Sequence, residues 1–349
     1  MENMGQETSR GRFAVIVPAR NAAATLPSCL RAIMDSTRKP DELILFDDGL
    51  TPNILDIAKD YGARVISNQG TRAGAARGRN LASRESTADI FVFVDADVIA
   101  EKDALRRLLV ELESDPQIVA TFGSYDQYPR VQRQAALYVN LRHHWIHQQG
   151  DREATTFWTG LGAVRADTFR SLGGFNEQSG IEDVDLGLRL RAAGKRVRLV
   201  PEAQGTHCKD WSLLQLWRTD IADRAFPWSL LLAHRKSDAG QLNTAVKERL
   251  SAAVAHLSWI LLLGSLISSW FAIDAMAAVG VYIYLNRGLF RLFLRMGGFE
   301  LAFTGACLHW LYHLYASATY VSVFALIRAR RYYLRLARAL SIGREGWKT

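Results

Sequence analysis

This 349-residue chain is poor in the features that mark secreted or nucleic-acid-binding proteins, and each shortage closes off a class. Cys29, Cys208 and Cys307 are scattered with no Cys-x-x-Cys pair, so neither a disulfide framework nor a zinc ribbon is expected, and a reducing, cytosolic site fits. Residues 1–11 are polar and carry no apolar run, which reads as a disordered N-terminus without a signal peptide. Positive charge is missing where a nucleic-acid-binding domain needs it. Residues 251–349 hold ten Lys/Arg against three Asp/Glu, so +7 of the formal +8 lies in the tail and residues 1–250 are nearly neutral. A folded basic face is therefore not expected, nor a nucleic-acid partner. Internal repeats and low-complexity tracts are also absent.

What the first 250 residues do have is alternation. Phe13–Val17 is an apolar run closed by Pro18, Thr25–Ser36 places Leu26, Leu30, Ile33 and Met34 on one helical stripe, and Glu42–Phe46 reads as the next strand. Ala63–Ser67 precedes a helix over Ala75–Ser86, and Ile90–Val94 precedes a helix over Asp103–Glu113. Such alternation predicts an α/β domain with a parallel sheet covered by helices on both faces. Beyond Tyr125 the pattern loosens around a long helix near Val131–Gln149, as an acceptor-binding half would.

Three acidic motifs punctuate this domain: Asp47-Asp48-Gly49, Asp95-Ala96-Asp97 and Glu182-Asp183. The first two follow apolar strands, so their carboxylates should emerge at the carboxyl edge of the sheet, where such sheets bind ligands. Gathered carboxylates repel one another unless a cation or proton intervenes. Mn2+ or Mg2+ meets that need, because these ions take oxygen ligands from one or two carboxylates and from substrate phosphates. Read singly, each motif is also an ordinary turn, a helix cap or an acidic first turn of a helix. Arg77, Arg79 and Asn80 open a helix, and helix N-termini and Arg both suit phosphate, although a solvated helix start has the same composition. His207 follows the apparent strand Val197–Val200 and offers an imidazole to complete a metal site. His143, His144 and His147 have helical spacing but read as packing. Arg224 suits a phosphate, and Trp228 suits a sugar face or a membrane interface.

Taken together, Val17-Pro18-Ala19-Arg20-Asn21, Asp47-Asp48-Gly49, Ala76-Arg77-Gly78-Arg79-Asn80, Asp95-Ala96-Asp97, Gly173-Gly174-Phe175 and Glu182-Asp183 resemble the family-2 glycosyltransferases over roughly residues 12–230. The resemblance implies a Rossmann-like nucleotide-sugar-binding domain of the A-type glycosyltransferase fold, inverting and metal dependent. It implies that Asp47 or Asp48 holds the nucleobase or ribose, that Asp97 binds metal, that Asp95 binds ribose or metal, and that Asp183 is the general base. Pro18, Arg20, Asn21, Arg77, Arg79, Asn80 and Glu182 fall in the same motifs and are expected at the donor. Two departures stand out. No Gln precedes Arg224 as in the Gln-x-x-Arg-Trp motif of processive synthases, which favours transfer of a single sugar. Leu50 and Asn53 replace the family's usual small polar and acidic residues, which weakens the ribose contacts of that loop.

The remaining third reads as membrane-associated. Residues 252–273 and 301–327 are uncharged runs of 22 and 27 residues. As helices, even the shorter spans about 33 Å, enough to cross a bilayer. Between them, 275–296 is a short transmembrane or interfacial segment with Arg287, Arg291 and Arg295 at four-residue spacing. The basic cluster Arg328, Arg330, Arg331, Arg335 and Arg338 argues for a cytosolic C-terminus by the positive-inside rule. The expected organisation is a catalytic domain over 12–235 and a membrane region over 236–349 with a basic cytosolic tail, crossing the inner membrane two or four times.

The expected partners are a nucleoside-diphosphate sugar, a lipid- or polyprenyl-linked acceptor and the membrane, with homodimerisation left open. Two alternatives stay beside this reading: a polyprenyl-phosphate sugar synthase with a phosphate acceptor, and a non-catalytic membrane scaffold with a transferase-like domain.

Overall fold

Residues 11–49, 51–67, 72–234 and 245–345 are described by the computed structural model, with side chains to Tyr332. The expected N-terminal tail (save Gly11), Leu50 and residues 346–349 lie outside them, as do the side chains of Arg335 and Arg338. The chain packs as two units, the first ending at Ser212 and the second beginning at Leu213, so the division falls earlier than the expected boundary at 235.

The first unit grows from β1 (Phe13–Ala19), whose residues are buried apart from Pro18. A near-continuous apolar run suits a strand covered on both faces. Alternate residues serve opposite faces. Val15 and Val17 join one buried cluster with α1 (Leu26–Met34), while Ala14 and Ile16 join another. Pro18 sits opposite Phe46 of β2 (Glu42–Asp47), beyond the point where pairing with β4 (Ile90–Val94) ends at Ile16 and Phe93. Its missing N–H thus costs no rung on that side.

The chain continues through α2 (Ile54–Asp60), β3 (Arg64–Ser67), α3 (Ala75–Arg84), β4, β5 (Val98–Ala100), α4 (Ala104–Ser114), β6 (Ile118–Tyr125) and α5 (Gln134–Gln149). It then forms β7 (Glu153–Ala154), β8 (Leu161–Arg165), α6 (Ala166–Ser171), α7 (Glu182–Ala192) and β9 (Arg196–His207). The sheet order is β3-β2-β1-β4-β8-β6-β9-β5, with β7 on β9. The expected parallel sheet holds for β3, β2, β1 and β4, but the other half is mixed. After α4 the chain leaves a gap beside β4, and β8 fills it running antiparallel to both β4 and β6.

Two glycines set the distance between layers. A Cβ at Gly78 of α3 would lie 2.3 Å from the Phe46 ring, and one at Gly187 of α7 would lie 2.4 Å from the Thr156–Phe157 backbone. Both helices carry residues expected at the site, so their close seating fixes where those side chains start.

The second unit is helical: α8 (Leu213–Arg218), a π-helical turn Thr219–Ala225, α9 (Phe226–His234), α10 (Val246–Gly264), α11 (Trp270–Leu285) and α12 (Arg287–Glu345). The run 252–273, expected as one helix, is split. Around Ser265–Ser269 the chain turns, with the Ser265 hydroxyl donating to the Leu262 carbonyl at 2.7 Å. Such local bonds compete with helix continuation. α10 and α11 therefore pack as a hairpin whose turn exposes Leu266, Ile267 and Trp270.

The segment expected over 275–296 is shared between α11 and the start of α12. There Arg287, Arg291 and Arg295 are exposed while Leu289, Leu292 and Phe293 are buried, an amphipathic arrangement. Gly297 and Gly298 interrupt α12, Gly298 at φ 65°, and the expected span 301–327 lies wholly beyond them. Arg287–Tyr332 is long and apolar enough to cross a membrane by length and composition, and α11 is apolar but shorter.

Candidate active site

The second and third acidic motifs meet through Arg79, which the sequence placed at a phosphate. Its side chain is nearly buried on α3, and its guanidinium donates to Asp95 Oδ1 at 2.6 Å and to Glu182 Oε1 at 2.9 Å. One cation thus joins the end of β4 to the first turn of α7, two segments far apart in sequence. Asp183 follows on that turn, its Oδ1 accepting the Val184 amide at 2.8 Å. Burial, reinforced by the Glu182 charge, pushes the Asp183 carboxyl up to about 7, against the pull of that amide and of Arg79. Asp95 is raised as well, because burial and Asp97 outweigh Arg79.

Asp97 behaves oppositely. Burial would raise its carboxyl, but the His207 imidazole and the Lys209 ammonium prevail and hold it below the usual range. Asp97 Oδ2 and His207 Nε2 are 3.7 Å apart, brought together by antiparallel pairing of β5 with the end of β9. His207 is buried and stacked on Tyr125, with ring centroids 4.2 Å apart and planes 12° from parallel. Behind Tyr125 stand His143 and Trp158 at 4.5 and 4.8 Å. His144 and His147 bond through Nδ1 to the carbonyls of Tyr125 and Gly123, and burial pushes His147 down to about 4. The three α5 histidines therefore form the wall behind His207.

A carboxylate and an imidazole facing each other at 3.7 Å suit one divalent cation whose other positions go to phosphate oxygens and water. Asp95, expected at ribose or metal, is engaged by Arg79 and is not gathered with Asp97 and His207 into a compact three-donor set.

The loops after β1 and β2 are stitched together. Arg20 donates to the Asp48 carbonyl at 2.9 Å, and the Asn21 amide, at φ 49°, meets the Gly49 carbonyl at 3.4 Å. Asp48 is buried and accepts the Ala73 and Gly74 amides, so it organises the entry to α3. Asp47 is less buried, accepting the Gly49 amide at 2.9 Å. Asn80 ties α3 to the Gly173–Phe175 loop by exchanging hydrogen bonds with Phe175, a holding role. Arg77 is exposed. Arg224 and Trp228 belong to the second unit, where Arg224 pairs with Asp220 at 2.8 Å and Asp220 accepts the Tyr315 hydroxyl at 2.7 Å. Sequence reasoning missed the stacking of Tyr125 on His207 and the double use of Arg79, since the side-chain partners concerned lie 82, 16 and 103 residues away.

A sheet of order 3-2-1-4 with a mixed extension and acidic groups at its carboxyl edge is the A-type glycosyltransferase architecture. The solved mannosyltransferase from Pyrobaculum calidifontis, in complex with GDP-Man and Mn2+, shares this fold at TM-score 0.58 and 21% identity, over 90% of this chain and 88% of its own. The glycosyl transferase family 2 model matches residues 14–172, and that segment belongs to the family. Among curated relatives, the O-antigen chain rhamnosyltransferase of Salmonella typhimurium is 27% identical over 62% of this chain and 74% of its own length. A probable glycosyltransferase of Bacillus subtilis is 24% identical over 55% of this chain and 49% of its own, so the chain spans about half of that relative. The protein is a glycosyltransferase with a family-2 domain.

Proposed function

We propose that the chain is an inverting glycosyltransferase that moves one sugar from a nucleoside-diphosphate sugar to a hydroxyl of a lipid-linked or membrane-proximal acceptor, with Asp183 as general base. The observation that carries this reading is the joining of Asp95 and Glu182 by Arg79, which sets Asp183 beside them with a carboxyl near neutrality. A sugar hydroxyl has a pKa far above 7, so its proton must leave as the new bond forms, and a base near operating pH is suited to take it. A base of this kind is less needed by a phosphate acceptor, already ionised near neutral pH.

Asp97 and His207 would hold Mn2+ or Mg2+, and such an ion supplies Lewis-acid neutralisation of the diphosphate leaving group. The P. calidifontis structure of the same fold, bound with Mn2+ and its sugar nucleotide, supports a divalent metal beside the donor. Asp47 and the loop carrying Arg20 and Asn21 line the place for base and ribose, and Asp48 keeps that loop in shape. Arg79 fixes the separation of Asp95 and Glu182, so Asp183 keeps one position relative to the end of β4.

Membrane association is supported by the apolar helix Arg287–Tyr332, by the exposed Leu266, Ile267 and Trp270, and by the O-antigen relative. Uridine and guanosine diphosphate sugars supplied with Mn2+ or Mg2+ and a bacterial lipid extract test the proposal. Release of nucleoside diphosphate with a glycosylated lipid is expected. No release with any donor would leave a scaffold.

A further inference from the structure

Separately from the acidic cleft of the first unit, the helical unit itself holds a set of metal-type donors, independent of the function proposed above. Glu248 lies in the first turn of α10, and His309 and His313 lie four residues apart on α12. One ligand atom from each of the three falls within 4.8 Å of the other two. Both histidines are buried, at 2% and 3% exposure, and the Glu248 side chain is 17% exposed. His313 Nε2 faces Glu248 Oε2 at 3.2 Å, and the His309 and His313 rings are 4.6 Å apart.

The surroundings have the organisation of an outer ligand shell. Tyr282 of α11 meets the other ring nitrogen of His313, Nδ1, at 2.9 Å through its hydroxyl. A metal-bound histidine usually hands its remaining N–H to such a partner, which fixes the tautomer and aims the free nitrogen at the ion. Next to this layer, Asn286 donates to the Ser251 hydroxyl at 3.1 Å, closing the open end of the α10–α11 hairpin with another polar contact. A carboxylate held against two buried imidazoles is costly to keep ionised without a positive partner.

We infer that Glu248, His309 and His313 form a binding site for a divalent d-block cation, with Zn2+ the fitting choice, and that the ion staples α10 to α12. The donor set explains the preference: two imidazoles and one carboxylate match zinc sites with three protein ligands, whereas Mg2+ and Ca2+ want oxygen alone. His313 binds through Nε2 and keeps its Nδ1 proton on the Tyr282 oxygen, Glu248 binds ionised, and the fourth position is left to water.

The full chain, extracted in detergent and stripped with a chelator, is dialysed against Zn2+ alone and its metal content measured. One equivalent is expected to survive His207→Gln, which disables the acidic cleft, and to be lost in His313→Gln and in Glu248→Gln. Tyr282→Phe should weaken Zn2+ binding by roughly 10- to 100-fold in a competition assay. X-ray absorption at the zinc edge on the otherwise unsubstituted His207→Gln chain should show two imidazole ligands, a reading that does not depend on the helical variants folding. No zinc surviving His207→Gln, full retention by well-folded His313→Gln, or a zinc environment without imidazole would each overturn the site.

Discussion

At the scale of single residues, the proposed chemistry rests on three charges with different duties. Asp183 is raised to about 7 in the folded chain from an ordinary 3.8. Its basic form is the deprotonated one, so kcat/KM should rise as pH passes through about 7 and then level off. Asp183→Asn should remove that rise and lower turnover roughly 100- to 10,000-fold, measured as nucleoside diphosphate release across pH. A loss of only a few-fold would point to a phosphate acceptor. The same shift bears on stability. Because folding favours the protonated carboxyl, its contribution is complete below about pH 4 and is lost as pH rises through 7. Asp183→Asn should therefore gain thermal stability over the unsubstituted chain at pH 8 more than at pH 5. Asp97→Asn should abolish turnover at every pH, and near-normal release by that variant would remove the metal assignment. Arg79→Met leaves Asp95 and Glu182 facing each other without their cation, and a loss of about 3 kcal/mol in denaturant unfolding is expected. Asp47, Asp97 and Asp183 stand out in the sequence because each sits at a strand end or a helix start. The partnership of Arg79 with Asp95 and Glu182 does not, because no local spacing encodes contacts between distant loops.

At the scale of elements, placement of the carboxylates depends on how near α3 and α7 lie to their neighbours. Gly187→Ala would drive a methyl group into the Thr156–Phe157 backbone, which cannot swing aside as a side chain can. A destabilisation of about 1–3 kcal/mol is expected from such overpacking, with activity falling further than stability because α7 carries Asp183. Thermal melting and kcat measured on the same preparation check this. The strands and helices of the first 114 residues were largely legible because apolar runs and stripes repeat there with clean periods. The antiparallel strands β6 and β8 were not, since a short buried strand and a buried helix segment look alike by composition. The division of 252–273 into two helices was hidden for a related reason: serine and glycine count as neutral in an apolar run, yet they supply the turn at 264–269. His309 and His313 escaped notice as uncharged members of a long apolar stretch.

At the scale of the whole molecule, the proposed function assigns donor chemistry to the first unit and the approach to the acceptor to the second. A chain ending at Ser212 should still bind a sugar nucleotide, while transfer to lipid in vesicles should drop well below that of the full chain. Calorimetric titration of donor and a lipid-product assay measure the two. Equal lipid transfer by the short form would reduce the helices to a tether.

The interruption at Gly297 and Gly298 has a consequence for that helical part. Unbroken, the 59 residues of α12 would form a rod of roughly 90 Å, about three times the thickness of a bilayer's oily interior. On the proposed membrane-associated reading, the bend would let the stretch bearing Arg287, Arg291 and Arg295 lie along anionic headgroups while the stretch after 301 answers to membrane thickness. The first attachment should fade in high salt and the second should not, so ionic strength could loosen the enzyme's footing without releasing it.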